Sequence, residues 1–210
     1  MRPYVILPVG LVSAAFTSTI SELRDLPAPE DINVTVTGSG PGCPDNTLAF
    51  NASSDGQILT VNFFGFQLSW TGPETEPNDR AKNCGLTFDI QHSEGYQYSV
   101  ESLTWRGWAK LDDGVELRIY VATYFEGSSS TNQASIAGGG DWAGGQEFME
   151  KEDVDINWLA YSPCGKRSTM DMNARAMLRS DLDNGAGTTD DGGGTPLTLQ
   201  VNLVWRSCSN

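Results

Sequence analysis

Between Val115 and Phe125 the chain alternates with a period of two. Val115, Leu117, Ile119, Val121 and Phe125 share one parity, and Glu116, Arg118, Tyr120 and Tyr124 the other. Successive side chains of a β-strand point to opposite faces, so this segment reads as a strand with a buried and a wet side. The C-terminal segment repeats the pattern, with Leu197, Leu199, Val201, Leu203 and Trp205 set against Thr198, Gln200, Asn202 and Arg206. Ile58 to Trp70, Cys84 to Gln91, Tyr96 to Leu111 and Thr169 to Leu178 read as further strands between Gly, Pro, Asp and Asn turns. Asn173 to Arg179 also holds good helix formers, but strand is preferred there. The expected core is Phe63, Phe88, Leu103, Leu117, Ile119, Val121, Leu199, Val201 and Leu203. Many strands and no strong amphipathic helix predict an all-β fold: one antiparallel β-sandwich domain.

Two breaks in the pattern carry information. From Tyr96 the apolar parity is even through Val100 and odd from Leu103, which predicts a bulge near Glu101-Ser102. Asp112-Asp113-Gly114 then reads as a hairpin turn into Val115. Three stretches lack periodicity: Pro73 to Asn83, Gly127 to Gln146 and Asp181 to Pro196. The second is rich in Gly, Ser and Ala around a single large aromatic, Trp142, and long loops of this kind are commonly functional or disordered.

At the other end, Tyr4 to Phe16 is an apolar run after Arg2, too short to span a membrane. It predicts a signal peptide over 1–16, a lead-in with the first strand over 17–37, and the sandwich domain over 38–210. Four cysteines behind such a leader are read as disulfides of an extracellular protein. They allow three pairings. Cys43 and Cys84 flank the first strands while Cys164 precedes and Cys208 ends the last, so Cys43–Cys84 and Cys164–Cys208 are favoured. Sequons at Asn33-Val34-Thr35 and Asn51-Ala52-Ser53 agree with secretion and make Asn33 and Asn51 candidate glycosylation sites. The formal net charge of −14 disfavours nucleic acid, anionic membrane and other polyanions as partners.

Several short blocks occur in a fixed order: Gly38-Ser39-Gly40-Pro41-Gly42-Cys43-Pro44, Lys82-Asn83-Cys84 and Gly95-Tyr96-Gln97-Tyr98. They continue with Trp105-Arg106-Gly107-Trp108-Ala109-Lys110-Leu111, Ser162-Pro163-Cys164-Gly165 and Trp205-Arg206-Ser207-Cys208. Together they resemble a family of small secreted four-cysteine proteins of filamentous fungi and some bacteria, catalogued as a domain of unknown function. The resemblance implies a secreted β-sandwich and brings no catalytic motif with it. It also suggests a fungal effector acting on an extracellular host protein, for instance by inhibiting a secreted papain-like cysteine protease.

Chemistry is sparse. His92 is the single histidine and falls in His92-Ser93-Glu94-Gly95, which reads as a polar turn, so a histidine-based hydrolase or zinc enzyme is disfavoured. A carboxylate pair for glycoside hydrolysis is available on paper among Asp112, Asp113, Asp141, Glu147, Asp153 and Asp155. Asp181 and Asp183 have the spacing of the first calcium ligands of an EF-hand loop, but Gly192 stands where its bidentate Glu is needed. An irregular site drawing on Asp190 or Asp191 is the weaker reading beside a solvated loop. No metal and no cofactor is expected. Binding residues are sought among the aromatics: Tyr120 and Tyr124 on the wet face of their strand, Trp108 with parity opposite to Trp105, and Trp142 in its loop. Exposed rings on a sheet suit sugars or a protein interface. The expected function is therefore non-enzymatic binding of an extracellular protein, or of cell-wall polysaccharide as the alternative, with a glycosidase third.

Overall fold

A computed structural model describes residues 29–125, 128–155, 159–182 and 185–208. The expected signal peptide and most of the lead-in lie outside the described residues, as do Gly127, Asp183 and Asn184. Among the described residues eleven strands follow in order: β1 Asn33–Ser39, β2 Leu48–Ala52, β3 Ile58–Phe63, β4 Ser69–Trp70, β5 Ala81–Leu111, β6 Val115–Phe125, β7 Ser128–Ala137, β8 Gln146–Asp153, β9 Gly165–Ser180, β10 Gly187–Thr188 and β11 Leu197–Ser207.

The longest of them organises the rest. Residues 81–91 of β5 pair with β1 and β9, whereas its second half pairs with β11 and β8. Its pairing with β9 is interrupted between Gln91 and Tyr96, where Gly95 takes φ 89°, a region open to glycine. The strand thus passes from one layer, β1-β5-β9-β6-β7, into the other, β2-β3-β11-β5-β8. Between the layers lies the core, which contains all nine residues expected there. The bulge is present too: Asn202 faces Ser102 and Leu203 faces Val100, leaving Glu101 unpaired.

Other features differ from the sequence expectation. The turn at Asp112–Gly114 forms, with Val115 N donating to Asp112 O at 3.1 Å, but it is not a hairpin. β6 pairs with β7 and β9 rather than with β5, so the turn carries the chain across the sandwich. From 128 to 146 there is no long loop: half of the stretch is β7, followed by a 3-10 turn at Gly140–Gly144. A short helix, α1 Pro77–Arg80, occupies the Pro73 to Asn83 connection.

His92 is also not on a solvated turn. It is 6% exposed, its Nδ1 donates to the Ser93 carbonyl at 2.9 Å, and its ring meets Tyr98 and Trp205 edge-on. Parity explains this: β5 continues past Gln91, so the even positions Phe88, Ile90 and His92 all face inward.

Cys43 bonds to Cys84 and Cys164 to Cys208, with Cα–Cα distances of 5.5 Å and 6.0 Å. The first bridge is buried beside β1, and the second ties the start of β9 to the end of β11 and so joins the layers. Asn33 and Asn51 lie exposed on β1 and β2.

Tyr98 yields a test of core electrostatics. It is buried against Phe125 and Trp205 and accepts a hydrogen bond from Ser168 Oγ at 2.9 Å. Burial, opposed by that hydrogen bond, pushes its hydroxyl up from 10.0 to about 12. The folded protein therefore holds this proton more tightly than the unfolded chain does. The associated stability is intact below pH 10 and is lost as pH rises towards 12. Thermal melting should fall across that window, with Tyr98 accounting for up to about 3 kcal/mol, and Tyr98→Phe should flatten the fall. Parallel profiles for wild type and variant would refute this.

Candidate functional site

The polar sides of β11 and β5 meet on the outer face of one layer. Pairing sets Ser102 beside Asn202, Thr104 beside Gln200 and Arg106 beside Thr198. β3 extends these rows with Ile58, Thr60 and Asn62, and β8 closes the other side with Met149 and Lys151. The rows are cross-linked: Thr198 Oγ1 donates to Asn62 Oδ1 at 2.8 Å, and Asn202 Nδ2 to Ser102 Oγ at 2.9 Å. Gln200 Nε2 donates to Asn202 Oδ1 at 3.3 Å. These bonds hold amides and hydroxyls in fixed orientations while leaving acceptor and donor capacity unspent.

The surface is recessed. Ser102 and Thr104 point outward by parity yet are only 3% and 5% exposed, because the longer side chains around them stand higher. Two depressions of about 440 Å³ and 520 Å³ both touch Arg106 and Met149, so they form one groove. It runs from Gln57, Ile58 and Glu101 at one end to Glu147, Thr195 and Pro196 at the other. Arg106 is exposed and has no hydrogen bond or ion pair among the described residues. Met149, 61% exposed, offers an apolar patch on the wall.

The aromatic residues singled out in the sequence fall in two places. Trp105 faces the core and Trp108 the outside, with no register shift at Gly107 in the pairing with β8. Trp108 therefore shares the face of Arg106 and flanks the groove beside Glu147. It is partly covered: a Cβ on Gly145, whose φ is 83°, would lie 2.2 Å from its Cζ2. The backbone of that turn rests on the indole, and a glycine is what lets it. Trp142, in the same turn, is half-buried and packs against the core. Part of its ring is thereby withdrawn from the surface.

Tyr120 and Tyr124 lie on the outer face of the opposite layer. Tyr124 is 47% exposed and Tyr120 half-buried. Hydrogen bonds from the Arg118 guanidinium to Glu116 and to Tyr120 raise that arginine above its ordinary value. The sequence-derived candidates thus do not converge on one site, and sequence reasoning passed over the groove floor altogether.

Several of the acidic alternatives are occupied. Asp112 accepts from Ala186 N at 2.9 Å, and Asp153 pairs with Lys151 at 2.7 Å. In the 181–196 segment Asp181 pairs with Arg179, and Asp190 accepts from Gly192 N. Asp191 accepts from Thr195 Oγ1, Thr195 N and Gly193 N, which hold its carboxyl below the usual range. These acids close their own turns instead of converging, and the described residues contain no cluster of three or more His, Cys, Asp or Glu suited to a metal.

A family described as a domain of unknown function, DUF4360, matches residues 31–208. The chain belongs to the DUF4360 family. That match takes in every strand from β1 to β11, hence both layers, both disulfides and the groove. An uncharacterized secreted protein of Arthroderma benhamiae is 29% identical over 188 residues, covering 88% of this chain and 75% of the relative. With two disulfides in place, this DUF4360 protein is a secreted, extracellular one.

Among solved structures, a carbohydrate-binding module specific for non-crystalline cellulose, CBM28, is similar at TM-score 0.36 and 14% identity. The overlap covers 86% of this chain and 92% of the module. TmCBM61, solved with β-1,4-galactotriose, is similar at TM-score 0.25 and 9% identity, over 82% and 88% of the two chains. Likenesses this distant bear on neither site nor ligand.

Proposed function

We propose that this secreted protein binds a neutral glycan without turning it over, and that the glycan lies in the groove floored by β11 and β5. The observation that carries the reading is the cross-linked floor of hydroxyls and amides beneath the unpaired Arg106. Sugar hydroxyls both donate and accept, and a rigid array of groups that do the same matches them at little ordering cost. Met149 and the open edge of Trp108 supply apolar area against sugar ring faces.

Recognition of a host protein, including a papain-like protease, would use Trp142 as one of its aromatic anchors. A half-buried ring packed on the core supports that reading less well than an open polar groove supports a glycan. Two of the carboxylates a glycosidase could draw on, Asp112 and Asp153, are engaged with Ala186 and Lys151, whereas Glu147 at the end of the groove is not engaged among the described residues, so release of reducing ends is measured beside binding.

Pull-down on insoluble chitin, cellulose and β-glucan, with affinity electrophoresis on soluble glucan, xylan, galactan and mannan, tests the proposal. At least one polymer should retain the protein, and Arg106→Ala should weaken that retention about tenfold, the worth of one good polar contact. Retention by none of these polymers, together with specific capture from host extracellular fluid, would sink the glycan reading. Release of reducing ends would make the protein an enzyme.

A further inference from the structure

The opposite face carries a surface of different chemistry. On the outer side of β1, β5, β9, β6 and β7 stand four arginines, Arg118, Arg167, Arg175 and Arg179, and four carboxylates, Asp89, Asp171, Glu116 and, just past the end of β9, Asp181. In a chain of net charge −14 a face with balanced charge is an exception. Its acids are engaged internally. Glu116 pairs with Arg118 at 2.8 Å and Arg179 at 3.9 Å, Asp89 with Arg167 at 2.7 Å, and Asp171 accepts from Thr87 Oγ1 at 2.6 Å. Arg175, exposed in the middle of the face, has no hydrogen bond or ion pair among the described residues.

Register places Arg175 directly beside Tyr120, and Asp171 beside Tyr124. Between those two rows lies a third, in which Gly85 and Ala122 flank Asn173. Gly85 and Ala122 put little side chain on this row, so exposed Asn173 stands between Tyr120 and Tyr124, which are about 13 Å apart along the strand. The face offers two rings, one amide and one free guanidinium.

We infer that this face is a second binding surface, and that its occupant is an acidic glycan whose uronic-acid carboxylate pairs with Arg175 while its sugar rings lie on Tyr120 and Tyr124. A planar guanidinium holds a carboxylate through two parallel hydrogen bonds, which a neutral hydroxyl cannot reproduce. The overall negative charge argues against polyanions anywhere else on the molecule. At physiological ionic strength, however, screening beyond about 8 Å leaves the nearest charges in control. This surface is independent of the groove, so the protein would hold two glycan chains on opposite sides.

The test is affinity electrophoresis at about 0.15 M salt in gels containing polygalacturonate or its fully methyl-esterified form. It is run on an Arg106→Ala background, in which groove binding is weakened about tenfold, with a polymer-free gel as the mobility reference. Polygalacturonate should retard this protein and the esterified polymer should not. Arg175→Gln and Tyr124→Ala, each at unchanged melting temperature, should each reduce the retardation several-fold. Equal retardation by both polymers, none by either, or retention indifferent to Arg175→Gln would overturn the inference. Sedimentation velocity showing a dimer that Arg175→Gln dissociates would assign the face to a second copy of the chain and overturn it as well.

Discussion

Leu117→Ala is expected to lower the free energy of unfolding by about 2–5 kcal/mol, read from urea denaturation. Leu117 is fully buried in β6, opposite Leu178 of β9 on one side and Ile136 of β7 on the other. Truncation removes apolar contacts from both neighbours and leaves a cavity that paired strands are poorly able to close, since their spacing is set by hydrogen bonds. Tyr124→Ala, on the same strand with opposite parity, should change stability by about 0.5 kcal/mol or less. The contrast checks the two-faced reading of β6. Similar losses at the two positions would mean that the tyrosine face is covered, and the acidic-glycan surface would be lost with it.

Replacing Cys43 and Cys84 together by Ala should cost about 4 kcal/mol. The bridge spans 41 residues, and in the chain-entropy treatment a closed loop of that size constrains the unfolded chain by that amount. Alanine is the appropriate substitute because both positions are buried, Cys84 fully, and a serine hydroxyl there would lack a partner. The second bridge closes a similar loop of 44 residues but is more open, with Cys164 exposed and Cys208 half-buried. Graded reduction followed by alkylation should therefore label Cys164 and Cys208 first. Earlier labelling of Cys43 and Cys84 would show that local opening, rather than static access, governs the order.

The elements legible in the sequence are those whose burial is one-sided. β6 and β11 alternate because one face meets the core and the other meets water, and the bulge at Glu101 was visible because it inverted that alternation. β7 and β8 were missed for the complementary reason. Both lie at an edge of their layers, and β7 is built from Ser, Thr, Asn, Gln and Ala with only Ala134 and Ile136 among the core-facing positions. Backbone pairing with β6 makes it a strand, and backbone pairing leaves no mark on composition.

Turn chemistry misled in a related way. Asp112-Asp113-Gly114 announces a reversal of direction, but whether the reversed strand returns to its neighbour or crosses to the other layer is decided by distant pairing. The groove was invisible because Thr198, Gln200 and Asn202 look like any wet face. Only the register with Ser102, Thr104 and Arg106, roughly a hundred residues away, gathers them into a floor. The polar neighbours Ser93 and Glu94 make His92 look solvated in the sequence, whereas the aromatic residues that bury it, Tyr98 and Trp205, come from beyond the local window.

The position of β11 has a consequence for how the protein is made. It is the last strand in chain order, yet it lies in the interior of its layer, between β3 and β5. Until it leaves the ribosome, β3 and β5 each present an unpaired edge, a form prone to joining the wrong strand. That layer can close only once β11 has been made, and its contacts reach far along the chain, which slows the search. Sensitivity to any change that removes or delays β11 follows from one strand's address in the sheet.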